Sequence, residues 1–226
     1  MTEAQARQLI VEAAKSYLGF SEASGKHRKI IDIYNGQKEL PRGFRMTYAE
    51  PWCATFVSAM AIQCGMTDII PPECSCFYQV EAFKKLGKWQ ENDAYTPQIG
   101  DIIYYDWQDS GTGDNTGTPD HVGIVEKCAD GAIVIIEGNK NDSVERRTIK
   151  VDGRYIRGYG LPDYAKWAKA QKEDEPVSEP WYIRTGEWAE AQKLGITDGT
   201  RPDAPVTRAE CAAMVLRAYK KLEAKK

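Results

Sequence analysis

Six cysteines and two histidines are the residues of this 226-residue chain best suited to covalent chemistry. Two histidines, His27 and His121, are too few for a histidine-rich metal centre. If a cysteine is a nucleophile, its base is one of those two. The cysteines are Cys53, Cys64, Cys74, Cys76, Cys128 and Cys211. No C-x-x-C pair occurs, and the C-x-C of Cys74 and Cys76 has no second pair at zinc spacing. A disulfide framework belongs to short secreted chains, so six thiols are expected, most of them inert. Cys64, Cys128 and Cys211 sit in apolar company and read as core thiols.

Cys53 heads a run of Phe56, Val57, Met60, Ala61 and Cys64 with the spacing of one apolar helical stripe. Pro51 suits the first helical position, which places Cys53 two or three residues into the helix. Free backbone N–H groups and the helix dipole favour a thiolate there. The same groups can hold the oxyanion of an acyl transfer. A small buried residue at the head of the stripe is the competing reading, and position alone leaves the two level.

His121 opens a predicted strand after the Gly/Asp/Thr/Pro-rich stretch 109–120. A base at a sheet edge is well placed there, and an exposed strand end is the alternative. His27 stands among Lys26, Arg28 and Lys29 and reads as part of a solvated face, so His121 is the expected base. Glu137 ends the next strand. A two-residue loop at Asp130-Gly131 puts His121 and Glu137 on opposite faces. A three-residue loop, Ala129-Asp130-Gly131, pairs Cys128 with Ala132 and puts Gly131 in the left-handed position of a bulged turn. His121 then faces Asn139, and Glu137 is its diagonal neighbour across Gly123, roughly 7–8 Å between backbones. That geometry lets Glu137 or Asn139 hold one ring nitrogen while the other serves the thiol. The three-residue loop is therefore expected.

The elements that must position these groups fall into two blocks. Helical periodicity covers about 2–18, 24–35, 51–65 and 74–86, with Thr2 and Gln5 forming a capping box. Strand-like runs follow at 101–106, 121–127, 132–137, 144–151 and 155–159. Helices followed by an antiparallel sheet make an α+β fold. Residues 166–180 are charged and proline-containing and read as a linker between a domain at 1–165 and a small helical domain at 181–226. The first block is net acidic and the tail net basic. A formal net charge of −3 gives no global cationic field for nucleic acid. No apolar run approaches the roughly 18 residues of a membrane span. The start, MTEAQARQLIVEAAKSYLGF, lacks the pattern of a secretory signal. Synthesis in the cytoplasm is expected, with action elsewhere after release.

Pro51-Trp52-Cys53-Ala54-Thr55-Phe56-Val57-Ser58 resembles the nucleophile motif of CHAP domains, cysteine- and histidine-dependent amidohydrolases/peptidases of the papain-like clan. Pro119-Asp120-His121-Val122-Gly123-Ile124-Val125 resembles their histidine motif, and Glu137-Gly138-Asn139 the motif of the third catalytic group. The resemblance covers about residues 5–164. It implies a papain-like fold and a peptidoglycan hydrolase of endolysin type, an amidase or an endopeptidase. It also implies Cys53 as nucleophile, His121 as proton shuttle, Glu137 as its orienter and Asn139 as an aid. Tyr48 is a candidate second oxyanion donor, with a packed loop aromatic as the other reading. No cofactor and no metal are implied. The loop acids Asp106, Asp109 and Asp114 read as solvated rather than as cation ligands.

The tail resembles an S-layer-homology motif in Leu194-Gly195-Ile196-Thr197-Asp198-Gly199, Arg201-Pro202-Asp203 and Val206-Thr207-Arg208-Ala209-Glu210. Thr207 and Glu210 also fit a helix capping box. The resemblance implies wall-polysaccharide contact through Trp188 and Arg208, with a homodimer through the tail raising the copy number. Competing readings of the whole chain are a papain-like acyltransferase, a peptidase acting on proteins, and a wall-binding protein with a vestigial site.

Overall fold

Thr2 starts the first helix as expected: its hydroxyl accepts from Gln5 N at 3.2 Å, and its own N–H donates to the Gln5 side chain at 2.8 Å. In the computed structural model, residues 1–109, 111, 114–173, 187–197 and 208–223 are described. Two compact units emerge, Met1–Lys172 and Glu173–Lys226. The first holds α1 (Glu3–Lys15), α2 (Arg28–Asn35), α3 (Cys53–Gln63) and α4 (Cys76–Lys85), then the strands, then α5 (Tyr164–Glu173). The strands are β1 (Trp89–Gln90), β2 (Ile102–Tyr105), β3 (His121–Ala129), β4 (Ala132–Lys140), β5 (Ser143–Lys150) and β6 (Ile156–Gly160). They form one antiparallel sheet in the order β1-β6-β2-β3-β4-β5. The fold is α+β.

The helix that carries Cys53 is more deeply buried than a single apolar stripe requires. Every residue of α3 from Cys53 to Ala61 is buried, as expected of a helix enclosed on all sides. It contacts α1, α2 and α4 as well as β3 and β4. Its buried Ser58 is satisfied by Glu73, donating to the carbonyl at 2.6 Å and accepting from the N–H at 2.7 Å. The sheet alternates between two cores. Ile102, Tyr104, Val122, Ile124 and Ile136 join the helices, while Ile103, Tyr105, Val125, Ile133, Ile135, Ile156 and Tyr159 form a second cluster.

The expected three-residue hairpin loop is replaced by a two-residue one. Ala129 pairs with Ala132, and Asp130 and Gly131 take φ of 53° and 72°, the left-handed pair of a tight hairpin turn. The pairing then slips by one residue between Val125 and Lys127, so that Gly123 faces Glu137. The bulge supplies the extra residue that the loop was expected to supply. The diagonal relation of His121 to Glu137 across Gly123 therefore stands, by a different local route.

Two glycines permit close approach at this corner. A Cβ on Gly123 would sit 2.8 Å from Glu137 Cγ, so the glutamate side chain lies across the bare backbone. A Cβ on Gly138 would collide with Phe56 and come within 3.0 Å of the Trp52 ring. That bare position lets β4 seat the first turn of α3.

The expected linker is shortened from its N-terminal side. Residues 166–173 belong to α5, whose Tyr164, Trp167 and Ala168 are buried. Tyr164 donates to Gly100 O at 2.6 Å and Trp167 to Gly65 O at 2.8 Å. Two aromatic anchors outweigh the charged composition of this stretch.

In the second unit, α6 (Glu187–Lys193) ends at Gly195, whose φ of 62° supports a left-handed helix stop. Its N–H donates to Gln192 O at 2.8 Å, and Ile196 N to Ala191 O at 2.9 Å. From α7 (Arg208–Glu223), Arg217 donates to Ile196 O at 3.0 Å. Cys211 on this helix is exposed, not a core thiol. Residues 198–207 and the side chains of Trp188 and Arg208 lie outside the described set. Among the described residues, no helix is long and apolar enough to cross a membrane.

Gly138→Ala should cost about 1–3 kcal/mol by overpacking against Phe56 and Trp52. Urea unfolding checks this; parent-like stability would mean that β4 does not seat the start of α3.

Candidate active site

Cys53 is the first residue of α3. Trp52, at the N-cap, makes no side-chain capping hydrogen bond, so the N–H groups of the first turn remain available to an anion. Trp52 is fully buried and donates from Nε1 to Glu22 at 3.0 Å, which pins the helix start. The Ala54 N–H also favours the charged form of the Cys53 sulfur.

His121 begins β3, an interior strand, so it lies at a strand end and not on the sheet's lateral edge. Its Nε2 is 3.1 Å from Glu137 Oε2. The remaining ring nitrogen, Nδ1, is not engaged by Glu137 and is the one left for Cys53, which raises the imidazole. Tyr105 and Trp107 stack on each other at 4.9 Å, and each has its ring centre 5.8 Å from that of His121. The imidazole is thereby confined between an acid and two aromatic rings.

Glu137 is fully buried, and its second partner is Arg147, whose Nε lies 2.7 and 3.0 Å from the two carboxylate oxygens. The guanidinium also covers the rings of Trp107 and Tyr105 at 4.9 and 5.7 Å. Arg147 is a positioning residue that the sequence reading missed. Strand pairing brings it there: Glu137 pairs with Glu145, and 147 falls two residues further along β5, within diagonal reach.

The electrostatics follow from these contacts. The hydrogen bond from Cys76 and then that from His121 outweigh burial and hold Cys53 down to about 5. Burial pushes His121 down, but the hydrogen bonds to Cys53 and Glu137 outweigh it and lift the imidazole to about 9. Burial likewise raises Glu137, and the bonds to His121 and Arg147 reverse that, leaving it below the usual carboxylate range. Between about pH 5 and 9 the site is a thiolate beside an imidazolium. Such a pair can attack a carbonyl carbon and then protonate a leaving amine.

Other sequence expectations are placed differently. Asn139 sits at a second register shift in β4 with φ of 58°, and its Oδ1 is buried without a partner. Of the two candidates for holding the imidazole, Glu137 makes the hydrogen bond to His121. Tyr48 is exposed, and its hydroxyl donates to Asp32 at 2.7 Å, so the expected oxyanion donor is committed elsewhere. His27 is buried, not solvated: its Nε2 meets Tyr48 O at 3.1 Å and its ring lies 5.9 Å from that of Trp52. Lysine and arginine neighbours masked a helix N-cap that turns inward. Among the described residues no group of three or more histidine, cysteine or acidic side chains gathers as a metal site. Asp106 and Asp120 instead bond the N–H groups of Gln108 and Trp107.

Residues 44–139 match the CHAP domain family model. The matched segment contains Tyr48, Cys53, His121, Glu137 and Asn139. CHAP domains are typically cysteine- and histidine-dependent amidohydrolases that act on the cell wall, and the thiolate–imidazolium geometry fits that chemistry. No curated protein and no solved structure shows significant similarity to the chain.

Iodoacetamide should alkylate Cys53 with a rate that rises through about pH 5, because the thiolate fraction does. Cys74, raised by burial, should lag at pH 6–7. Equal rates for the two would contradict an activated Cys53. Glu137→Gln removes the charge that favours the imidazolium, so the alkaline limb of the pH–rate profile should move down by about 1–2 units; an unmoved limb would show that Glu137 does not act on His121.

Proposed function

We propose that this chain is a peptidoglycan hydrolase of endolysin type that cleaves an amide through a cysteine acyl-enzyme. The observation that carries the reading is the inclusion of the Cys53–His121–Glu137 arrangement within the CHAP match at 44–139. Cys53 attacks the amide carbonyl, and the developing oxyanion is held by the free N–H groups at the start of α3. His121 gives its proton to the departing nitrogen. It then takes one from the water that hydrolyses the thioester, restoring the thiolate and imidazolium. Glu137 orients the imidazole throughout.

The surface around the site supports an extended polymer substrate. Phe77 and Tyr78, next to Cys76, are exposed, as are Trp107 beside His121 and Tyr155 in edge contact with Trp107. Such faces suit the apolar sides of sugars and peptide stems.

In this reading the tail carries the enzyme to wall polysaccharide through Trp188 and Arg208. Val215, Leu216 and Tyr219 on α7 are exposed, which supports pairing of the tail with a second copy.

Cys53→Ala and His121→Ala should each abolish release of wall fragments by the purified protein, and Glu137→Gln should cost less than either. Retained release in Cys53→Ala would overturn the assignment. Mass spectrometry of the fragments separates an amidase, which frees the amino terminus of L-alanine from N-acetylmuramic acid, from an endopeptidase. Deleting 174–226, which spares α5, should leave cleavage of soluble fragments intact and weaken sedimentation with walls. Undiminished sedimentation would remove the targeting role.

A further inference from the structure

Beyond its hydrogen bond to the Cys53 thiolate, Cys76 has no part in the hydrolytic cycle, and its Sγ lies 3.7 Å from that of Cys53. Each cysteine is the first residue of a helix, Cys53 of α3 and Cys76 of α4. Ser75, at the N-cap of α4, makes no side-chain capping hydrogen bond, so this second helix start is also free to favour a thiolate. Both residues keep a small exposed fraction, 6% and 7%, and a small peroxide needs no wider opening than the substrate carbonyl does. The C-x-C pairing visible in the sequence is misleading. The partner of Cys76 lies 23 positions away, while Cys74 turns to Arg42, whose Nη2 is 3.6 Å from its sulfur.

We infer that Cys53 and Cys76 form a peroxide-responsive pair, in which Cys53 is oxidised by a hydroperoxide and Cys76 resolves the product as a disulfide. The inference rests on Cys53 being the reactive thiolate and not on which bond it cleaves. The Cys53 sulfur attacks one oxygen of hydrogen peroxide; the S–O bond forms, the O–O bond breaks and hydroxide departs, leaving a sulfenic acid. The Cys76 sulfur then attacks the Cys53 sulfur. The S–S bond forms, the S–O bond breaks, and the departing hydroxide takes the Cys76 proton and leaves as water. Peroxide gains two electrons, and the two cysteines lose them. The sulfurs must close by roughly 1.7 Å to reach disulfide length.

The order of events is built into the pair. While Cys53 is a thiolate, its hydrogen bond with Cys76, then burial and its charge, keep Cys76 protonated. A neutral sulfenic acid no longer imposes that charge, so Cys76 is released as a nucleophile once there is something to resolve. The disulfide removes the attacking sulfur and halts turnover. It also spares Cys53 from the irreversible sulfinic state.

The test treats the full-length protein with excess hydrogen peroxide, blocks remaining thiols and digests without reduction. Chymotrypsin suits this because Phe56 lies between the two cysteines. A Cys53–Cys76 link should appear together with loss of wall cleavage, and dithiothreitol should reverse both. Cys74→Ser should keep the link. Cys76→Ser should lose it, and prolonged peroxide should carry its Cys53 to sulfinic acid, with activity that dithiothreitol no longer restores. Cys53 found as sulfinic acid or joined to Cys74 in the parent, or equal recovery in parent and Cys76→Ser, would overturn the inference. The mass of the link is read whether or not the protein cleaves walls, so failure of the hydrolase reading leaves this test intact.

Discussion

A negative sulfur and a positive imidazole sit together inside this protein, and neither charge is tolerable there alone. Moving a single ion into a protein interior costs several kcal/mol unless a partner compensates. Here the compensation extends beyond the pair. Cys53, His121, Glu137 and Arg147 form a row of alternating charge, negative, positive, negative, positive, with hydrogen bonds joining the last three. The row sums to zero, and its last member, Arg147, is 28% exposed and carries it toward solvent. Its inner members are held in the charge states that acyl transfer needs.

Much of the fold around this row serves to bring its members into line. The cysteine comes from a helix start and the other three from successive strands, so helix and sheet must meet at one corner. Gly138 permits that meeting by leaving room for Phe56 and Trp52. Gly123 does the same for the glutamate, whose side chain crosses bare backbone to reach His121. The tight Asp130-Gly131 turn would by itself set His121 and Glu137 on opposite faces, and the slip between Val125 and Lys127 corrects this. The bulge is thus as necessary to the site as the residues it aligns.

The parts of this arrangement legible in the sequence were those set by local chemistry. A cysteine at a helix start, a histidine at a strand start and Glu137 two residues before Asn139 could all be picked out by type and spacing. The helix-then-sheet order was equally plain from periodicity. What escaped depended on long-range placement. Arg147 and Cys76 reach the site only through strand pairing and helix packing, and no spacing from Cys53 announces either. His27 looked solvated because its neighbours are cations, yet the turn into α2 buries it. The stretch 166–173 looked like linker because charge dominates its composition, while Trp167 and Ala168 anchor it to the first unit. Position 48 carries an aromatic hydroxyl at a suggestive distance along the chain, but Asp32 holds it. The turn shows a subtler gap: the register was deducible from what His121 and Glu137 must do, whereas the device that produces it was not.

With only two histidines in the chain, the charge on His121 can be observed directly. A titration of the imidazole nitrogens by NMR, run on the parent and on Cys53→Ala, tests the pair at its centre. In the parent, His121 should remain protonated through neutral pH and titrate at about 9. In Cys53→Ala it should lose the thiolate and fall by at least about one unit. A His121 that titrates near the ordinary histidine value in both proteins would contradict the thiolate–imidazolium pair.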